Sequence, residues 1–136
     1  MASITEDLIE YTLGATAVTA LIANRMHELH VPMAGRGPWV YVVLDSSDDL
    51  RALDAAVGDE PLQFNLSLEC WAGTPREAED VSGAIRDRIN NFSGALSSTR
   101  TVQGVFVNSQ ADDYVPRGQG SDRGLFARSL SATVMM

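Results

Sequence analysis

Two histidines and one cysteine are the side chains of this 136-residue chain best suited to metal binding or catalysis. His27 and His30 flank Glu28, but they lack the spacing that places two imidazoles on one helix face with a glutamate between them. Cys70 is the sole cysteine, which excludes an intrachain disulfide and a cysteine-based metal cluster. It also falls on the apolar parity of an alternating stretch, where a thiol is buried and unreactive. We therefore predict neither a metal site nor a catalytic cysteine.

The acidic residues do not match a ligand site either. Asp45, Asp48, Asp49 and Asp54 lie close in sequence, but their spacing differs from that of the twelve-residue calcium loop. We interpret them as a solvated loop, and Asp112–Asp113 as part of a turn, because aspartate favours turns. The sequence contains none of the common glycine-rich phosphate motifs and no nucleophile elbow. We predict a protein that is not an enzyme and has no cofactor.

The charge of the chain limits its partners. Eighteen acidic and ten basic residues give a net charge of −8, and every basic residue is an arginine. Phosphate neutralisation needs a basic surface, so strong binding to nucleic acid or to an anionic membrane is not expected. No apolar run approaches the roughly 18–20 residues of a membrane helix. Acids near the start, where a secretory signal has bases, indicate a cytosol-like compartment, and the length indicates one domain over residues 1–136.

Hydrophobic periodicity predicts the elements of the first half. Residues 3–26 are predicted helical, with Ser3 and Glu6 as a capping box and a kink or break near Gly14, where Thr16 would cap a second helix. Residues 39–45 form an apolar strand. Residues 46–60 are expected to be a long acidic segment that is mobile in the free subunit and ordered in the assembly, and that forms either a brief helical turn around 50–56 or one long loop.

The second half begins with the clearest pattern, the strict alternation of residues 62–71, which predicts a strand with one buried face. A helix capped by Thr74 then runs through Phe92 and ends at Gly94. Two further strands, 102–108 and 125–135, flank a polar loop. The predicted fold class is α+β: a four-stranded, mostly antiparallel sheet with helices on one face, in the order α-β-β-α-β-β.

Some residues are better explained by assembly than by chemistry. Trp71 lies on the polar parity of its strand, and the strand at 39–45 is apolar on both faces. Aromatic residues anchor protein interfaces, so these positions predict a subunit contact. The two long polar loops supply further candidates. The candidate interface residues are Trp39, Tyr41, Trp71, Asp48, Asp49, Arg117 and Arg123.

The order of these segments resembles the small tail-completion proteins, or tail terminators, of long-tailed bacteriophages. In that family an arginine ends the helical start, a proline precedes an aromatic strand, and a W-A-x-T/S-x-x-E-A stretch links strand to helix. Here these features are Arg25, Pro38 and the stretch Trp71–Ala78. The resemblance covers nearly the whole chain. The acidic insertion at 46–60 and the lack of lysine depart from it.

The resemblance implies a structural virion protein of the tail or neck, made in the host cytoplasm. Such proteins form a ring, usually of six copies, that caps the tail tube and joins it to the head connector or stopper, while DNA passes through the lumen without specific binding. The alternatives are another neck protein, such as a head-completion or connector-stopper subunit, or a small ligand-binding module. Arg100, Arg117, Arg123 and Arg128 all lie in the last third of the chain, and a basic patch formed by them is the alternative to a passive lumen.

Overall fold

The computed structural model describes residues 3–28, 38–48, 63–98, 100–115 and 125–136. Within these ranges the chain forms three helices and six strands, which confirms the α+β class. In chain order the elements are α1 (Ile4–Leu13), α2 (Thr16–Ile22), β1 (Met26–Glu28), β2 (Trp39–Asp48), β3 (Gln63–Ala72), α3 (Pro75–Ile89), β4 (Phe92–Ala95), β5 (Thr101–Val115) and β6 (Leu125–Met135).

The first two helices begin and end as their local sequence dictates. Ser3 Oγ accepts a hydrogen bond from the Glu6 backbone N–H at 3.1 Å, so the predicted cap of α1 is confirmed. The predicted break near Gly14 is also confirmed, because α1 and α2 are separate helices. The predicted cap at Thr16 is wrong, since Thr16 is already helical and Ala15 precedes it without a side-chain cap. α2 ends at Ile22, before the predicted end at residue 26, because Ala23 turns the chain with φ of 53°.

The third helix starts at its predicted position and ends early. The Glu77 N–H donates to Thr74 Oγ1 at 3.2 Å, and Pro75 is the first helical residue. The prediction that the helix includes Phe92 is wrong. Asn91 adopts a left-handed φ of 63°, which reverses the chain, and Phe92 begins β4. Gly94 therefore lies in a strand and not at a helix end.

The six strands form one sheet in the order β1-β2-β3-β6-β5-β4. The β1–β2 pair is parallel and the others are antiparallel. The predicted count of four strands is wrong, because β1 and β4 were missed at the two edges. Strands of three and four residues are too short to show a period of two, so only their pairing with β2 and β5 identifies them.

Two strands are longer than predicted. β5 continues through Asp112–Asp113, so the predicted turn there is wrong: Asp112 pairs across the sheet with Arg128, whose Nε lies 2.7 Å from the Asp112 carboxylate. β2 continues to Asp48, so the predicted loop begins later than residue 46. Residues 49–60, with the predicted helical turn and the expected mobility, lie outside the described residues, as do 116–124.

The hydrophobic core lies between the helices and one face of the sheet. β3 alternates as predicted, with Leu66, Leu68 and Cys70 fully buried. We call the face of the sheet on which these residues lie the inner face. One cluster joins them to side chains of all three helices, including Leu8 of α1 and Ile85 of α3. This packing sets which face of the sheet is left uncovered.

One buried ion pair ties the start of the chain to the start of β5. Arg100 Nε lies 2.7 Å from an oxygen of Asp7, and the two side chains are 3% and 2% exposed. A pair so fully removed from water must keep its geometry, because either charge left alone would be strongly destabilising. No described helix is both long enough and apolar enough to traverse a membrane.

Candidate assembly surfaces

The face of the sheet opposite the core, here the outer face, has no described helix packed on it. It is formed by alternate residues of the four long strands, which the register places side by side. On β3 these are Asn65, Ser67, Glu69 and Trp71, all only partly buried. A sheet face of this kind is available to solvent or to another protein.

Three aromatic residues form a cluster at one end of the outer face. Trp39 of β2 lies directly opposite Trp71 of β3, and Tyr41 packs beside them. We call these three residues the aromatic cluster. The sequence predicted Trp39, Tyr41 and Trp71 as interface residues, and the structure brings these three together. Trp39 is buried within the subunit, with only 4% of its surface exposed. The parts of the cluster still accessible belong to Tyr41 and Trp71.

The polar atoms of the aromatic cluster are incompletely paired. Burial raises the pKa of Tyr41, and a hydrogen bond from its hydroxyl to Glu69 raises that pKa further. The Trp71 indole N–H approaches the Tyr41 hydroxyl without hydrogen-bond geometry, and the Trp39 indole N–H has no acceptor among the described residues. Both nitrogens are buried within the subunit, where indole N–H groups usually find a partner.

The rest of the outer face is held by hydroxyl and amide groups. The Asn65 amide donates to Ser46 Oγ at 2.9 Å and accepts from Thr133 Oγ1 at 3.1 Å. Asp45 accepts from the hydroxyl of Ser67. These contacts join side chains of β2, β3 and β6 into one polar row. Apart from the Asp45 carboxylate, the groups in this row are uncharged hydroxyls and amides that bond each other.

The charged residues of the outer face are all acidic in the described ranges. They are Asp45, Glu69 and, by its register opposite Ala127, Asp113. No arginine of the described strands projects from this face, because Arg128 occupies the opposite parity beside Cys70. The face is therefore neutral to acidic.

The arginines lie elsewhere and are dispersed. Arg25 Nε donates to the Pro38 carbonyl at 2.8 Å, and Arg100 is buried with Asp7. Arg128 binds Asp112 through two nitrogens, which raises the pKa of Arg128 and lowers that of Asp112. Burial of Arg100 contradicts the alternative in which four C-terminal arginines form one exposed patch.

Four predicted interface residues have no described side chain. Asp48 ends β2 opposite Gln63, but its side chain is not described. Asp49, Arg117 and Arg123 lie outside the described residues. Their role at an interface stays a prediction.

The residues first considered for chemistry are placed as follows. Burial raises the pKa of the Cys70 thiol to about 12, so the thiol is protonated and unreactive at neutral pH. His27 and Glu28 lie in β1. No group of three potential metal-ligating side chains comes together in the described part of the chain.

Comparison with known proteins indicates the family of this chain. The model of the family described as tail completion protein gp17 matches residues 6–125. The chain belongs to this family. Family membership confirms the resemblance seen in the sequence. It identifies the chain as a structural component of the phage tail.

The fold of this tail completion protein is found in a solved particle. A chain of the structure titled "Virion of native gene transfer agent (GTA) particle" superposes with a TM-score of 0.69 at 12% identity, over 98% of this chain and 93% of that one. At this identity the match shows a shared fold. No curated protein matches the tail completion protein in sequence.

Proposed function

We propose that this tail completion protein forms a closed ring, usually of six copies, at the head-proximal end of the tail. The ring ends the tail tube and joins it to the head connector or stopper. Its partners are therefore further copies of itself, the tube protein and the connector, and the genomic DNA passes through its lumen. The observation that carries the proposal is the family match over residues 6–125.

The outer face supports a passive passage for DNA. Its described residues offer hydroxyls, amides and the acids Asp45, Glu69 and Asp113, with no cation. Nonspecific binding to DNA depends on cations placed against phosphates. A lumen lined by this face would repel the duplex weakly and would not retain it.

The aromatic cluster supports contact with another protein. Large aromatic side chains are typical of the centres of interfaces, where a partner buries the rings that remain accessible, here those of Tyr41 and Trp71. The cluster lies at the end of the outer face where β2 begins and β3 ends, so in a ring whose lumen is lined by that face it would lie at a rim, beside a neighbour along the tail axis. We assign it to the contact with the tube or the connector.

The function is tested by particles produced without this protein. We expect filled heads and separate tails in negative-stain images, with joining restored when purified protein is added. Tails of uncontrolled length would indicate loss of termination as well. Complete, joined particles in its absence would contradict the proposal, and heads that leak DNA before any tail attaches would favour the head-completion or stopper role instead.

A further inference from the structure

A groove between α1 and β1 combines apolar walls with exposed acidic residues. Its volume is about 740 Å³. The apolar side chains are those of Ile9, Leu13 and Met26, and the exposed acids are Glu6, Glu10 and Glu28. The described residues that line it include no arginine. We call it the acidic groove. It suits an arginine, which buries its methylene groups along apolar surface and keeps its charged end beside carboxylates.

A smaller and more polar pocket lies between α3 and β5. Its volume is about 170 Å³, and it is lined by Arg86 of α3 and residues 107–110 of β5. β5 bulges here: Val107 and Ser109 pair with consecutive residues of β6, so Asn108 is the extra residue. We call this site the Arg86 pocket. It is smaller than the roughly 300–1,000 Å³ sites that hold drug-sized molecules, so it suits one side chain of a partner.

The donors of the Arg86 pocket suit a carboxylate. Arg86 is exposed, and its guanidinium has no hydrogen-bond or ion-pair partner among the described residues. The planar fork of a guanidinium can bind both oxygens of a carboxylate. Ser109 and Gln110 are also exposed and add a hydroxyl and an amide. The Asn108 amide is already used, because it donates to Thr133 Oγ1 at 2.5 Å.

The two sites lie on opposite sides of the helical layer. Arg88 of α3 contacts α1: its Nε donates to the Tyr11 carbonyl at 3.0 Å, and its guanidinium lies 3.8 Å from the centre of the Tyr11 ring. Arg86 is two residues earlier, about 200° away around the helix axis, so it faces away from α1 and toward β5. By the same spacing Ile9 and Leu13 lie on the side of α1 opposite Tyr11, toward β1. The acidic groove and Arg86 are therefore kept apart within one subunit.

Resting on the ring proposed above, we propose that neighbouring copies join through these two sites. Arg86 of one copy lies in the acidic groove of the next, with its methylene groups against Ile9 and Leu13 and its guanidinium bound by Glu10 and Glu28. Copies with a net charge of −8 repel one another, so a contact that sets a cation of one against acids of the next is favoured over other arrangements. The contact joins two different surfaces, and it generates a closed ring when the rotation between copies closes.

Exchange of the charges tests the contact. The pocket variant carries Arg86→Glu, and the groove variant carries Glu10→Arg with Glu28→Arg. Each variant alone sets like charges against each other at every contact, and we expect the protein concentration needed for half-maximal ring formation to rise about tenfold or more. An equimolar mixture of the two should restore rings. In the mixture the native charges meet at one contact and the exchanged charges meet, as an opposite pair, at the next.

Rescue by mixing also distinguishes a lost contact from a lost fold, since two misfolded chains do not repair each other. Rings of the mixture should contain equal numbers of the two variants, which native mass spectrometry measures. Arg76→Glu is the matched control, because Arg76 is exposed on the same helix and lines neither site. It should form rings like the parent chain. Arg86→Gln removes the charge without reversing it and should weaken ring formation less than Arg86→Glu does.

The same proteins are added to separate heads and tails, so that assembly occurring only on the tail is also detected. Single variants that form rings or restore joining as well as the parent would overturn this proposal and leave the proposed function intact. A mixture that fails to recover would overturn it too, as would an equal loss caused by Arg76→Glu, which would assign the effect to net charge. A parent chain that neither forms rings nor restores joining would contradict both proposals.

Discussion

The inner and outer faces of β3 differ in what their residues contact, although they alternate along the same strand. Leu66 and Leu68 on the inner face are 1% and 0% exposed and pack against the helices. Ser67 and Glu69 on the outer face contact residues of the neighbouring strand β2 and remain partly exposed. The comparison indicates that inner-face residues determine the stability of the subunit, whereas outer-face residues are available for assembly.

Two ion pairs of the described residues also differ in their exposure to water. Asp7 and Arg100 meet in the interior, and Asp112 and Arg128 meet near the surface, both at 2.7 Å. The first pair is shielded from water and the second is solvated. Equal distances therefore correspond to very different energies, because water screens the exposed pair.

The largest effect is expected from breaking the buried pair. Asp7→Ala removes the carboxylate that faces the buried Arg100 guanidinium, and we expect a loss of about 3–5 kcal/mol in the free energy of unfolding. Asp112→Ala is the matched control and should leave stability unchanged. Urea unfolding of both variants measures this. Equal losses would show that the interior position of Asp7 has no energetic consequence.

Truncating a core side chain of β3 is expected to have the next largest effect on stability. Leu66→Ala removes a fully buried side chain packed against α3, and we expect a loss of about 2–5 kcal/mol. Ser67→Ala, one residue later on the outer face, should cost about 1 kcal/mol or less, since it removes a hydrogen bond to Asp45 that is exposed to water. Similar losses for the two variants would remove the distinction between the faces.

The buried thiol affects stability only at high pH. The pKa of Cys70 is about 12 in the folded chain, above the ordinary value of 9.0. The unfolded thiol ionises first, so this contribution to stability is complete below pH 9 and is lost as the pH rises toward 12. Subtracting the pH profile of Cys70→Ala from that of the parent chain isolates it. A difference that does not change over this range would contradict the burial of the thiol.

The protein is not expected to bind duplex DNA. The described outer face carries no cation, Arg100 is buried, and Arg128 is paired with Asp112. A gel-shift experiment at physiological salt should show no retardation at micromolar protein. Salt-sensitive binding that disappears when Arg117 and Arg123 are changed to glutamine would place a basic patch on the segment outside the described residues and contradict the passive lumen.

Much of the fold could be predicted because its signals are local. The caps at Ser3 and Thr74 each depend on a residue three positions away, and both are confirmed. The alternation of β3 and the bounds of β6 are likewise contained in a single stretch of sequence. The buried state of Cys70 follows from the same alternation.

The errors came where distant residues decide the structure. The turn predicted at Asp112–Asp113 is a strand, because pairing with β6 outweighs the turn preference of aspartate. Phe92 continues the apolar stripe of α3 in sequence, but Asn91 turns the chain and pairing with β5 makes Phe92 a strand residue. In both cases the competing hydrogen bonds come from another segment of the chain.

By itself, the sequence determined the α+β class, the capped helices, the buried face of β3 and the acidic, lysine-free surface. The family membership could be recognised from the order of its segments. Only the tertiary structure joined Asp7 to Arg100, 93 positions apart, and brought Trp39 against Trp71. The physical reason is range: caps and periodicity act over a few residues, whereas strand order and buried pairs depend on side chains that meet only when the sheet closes over the core.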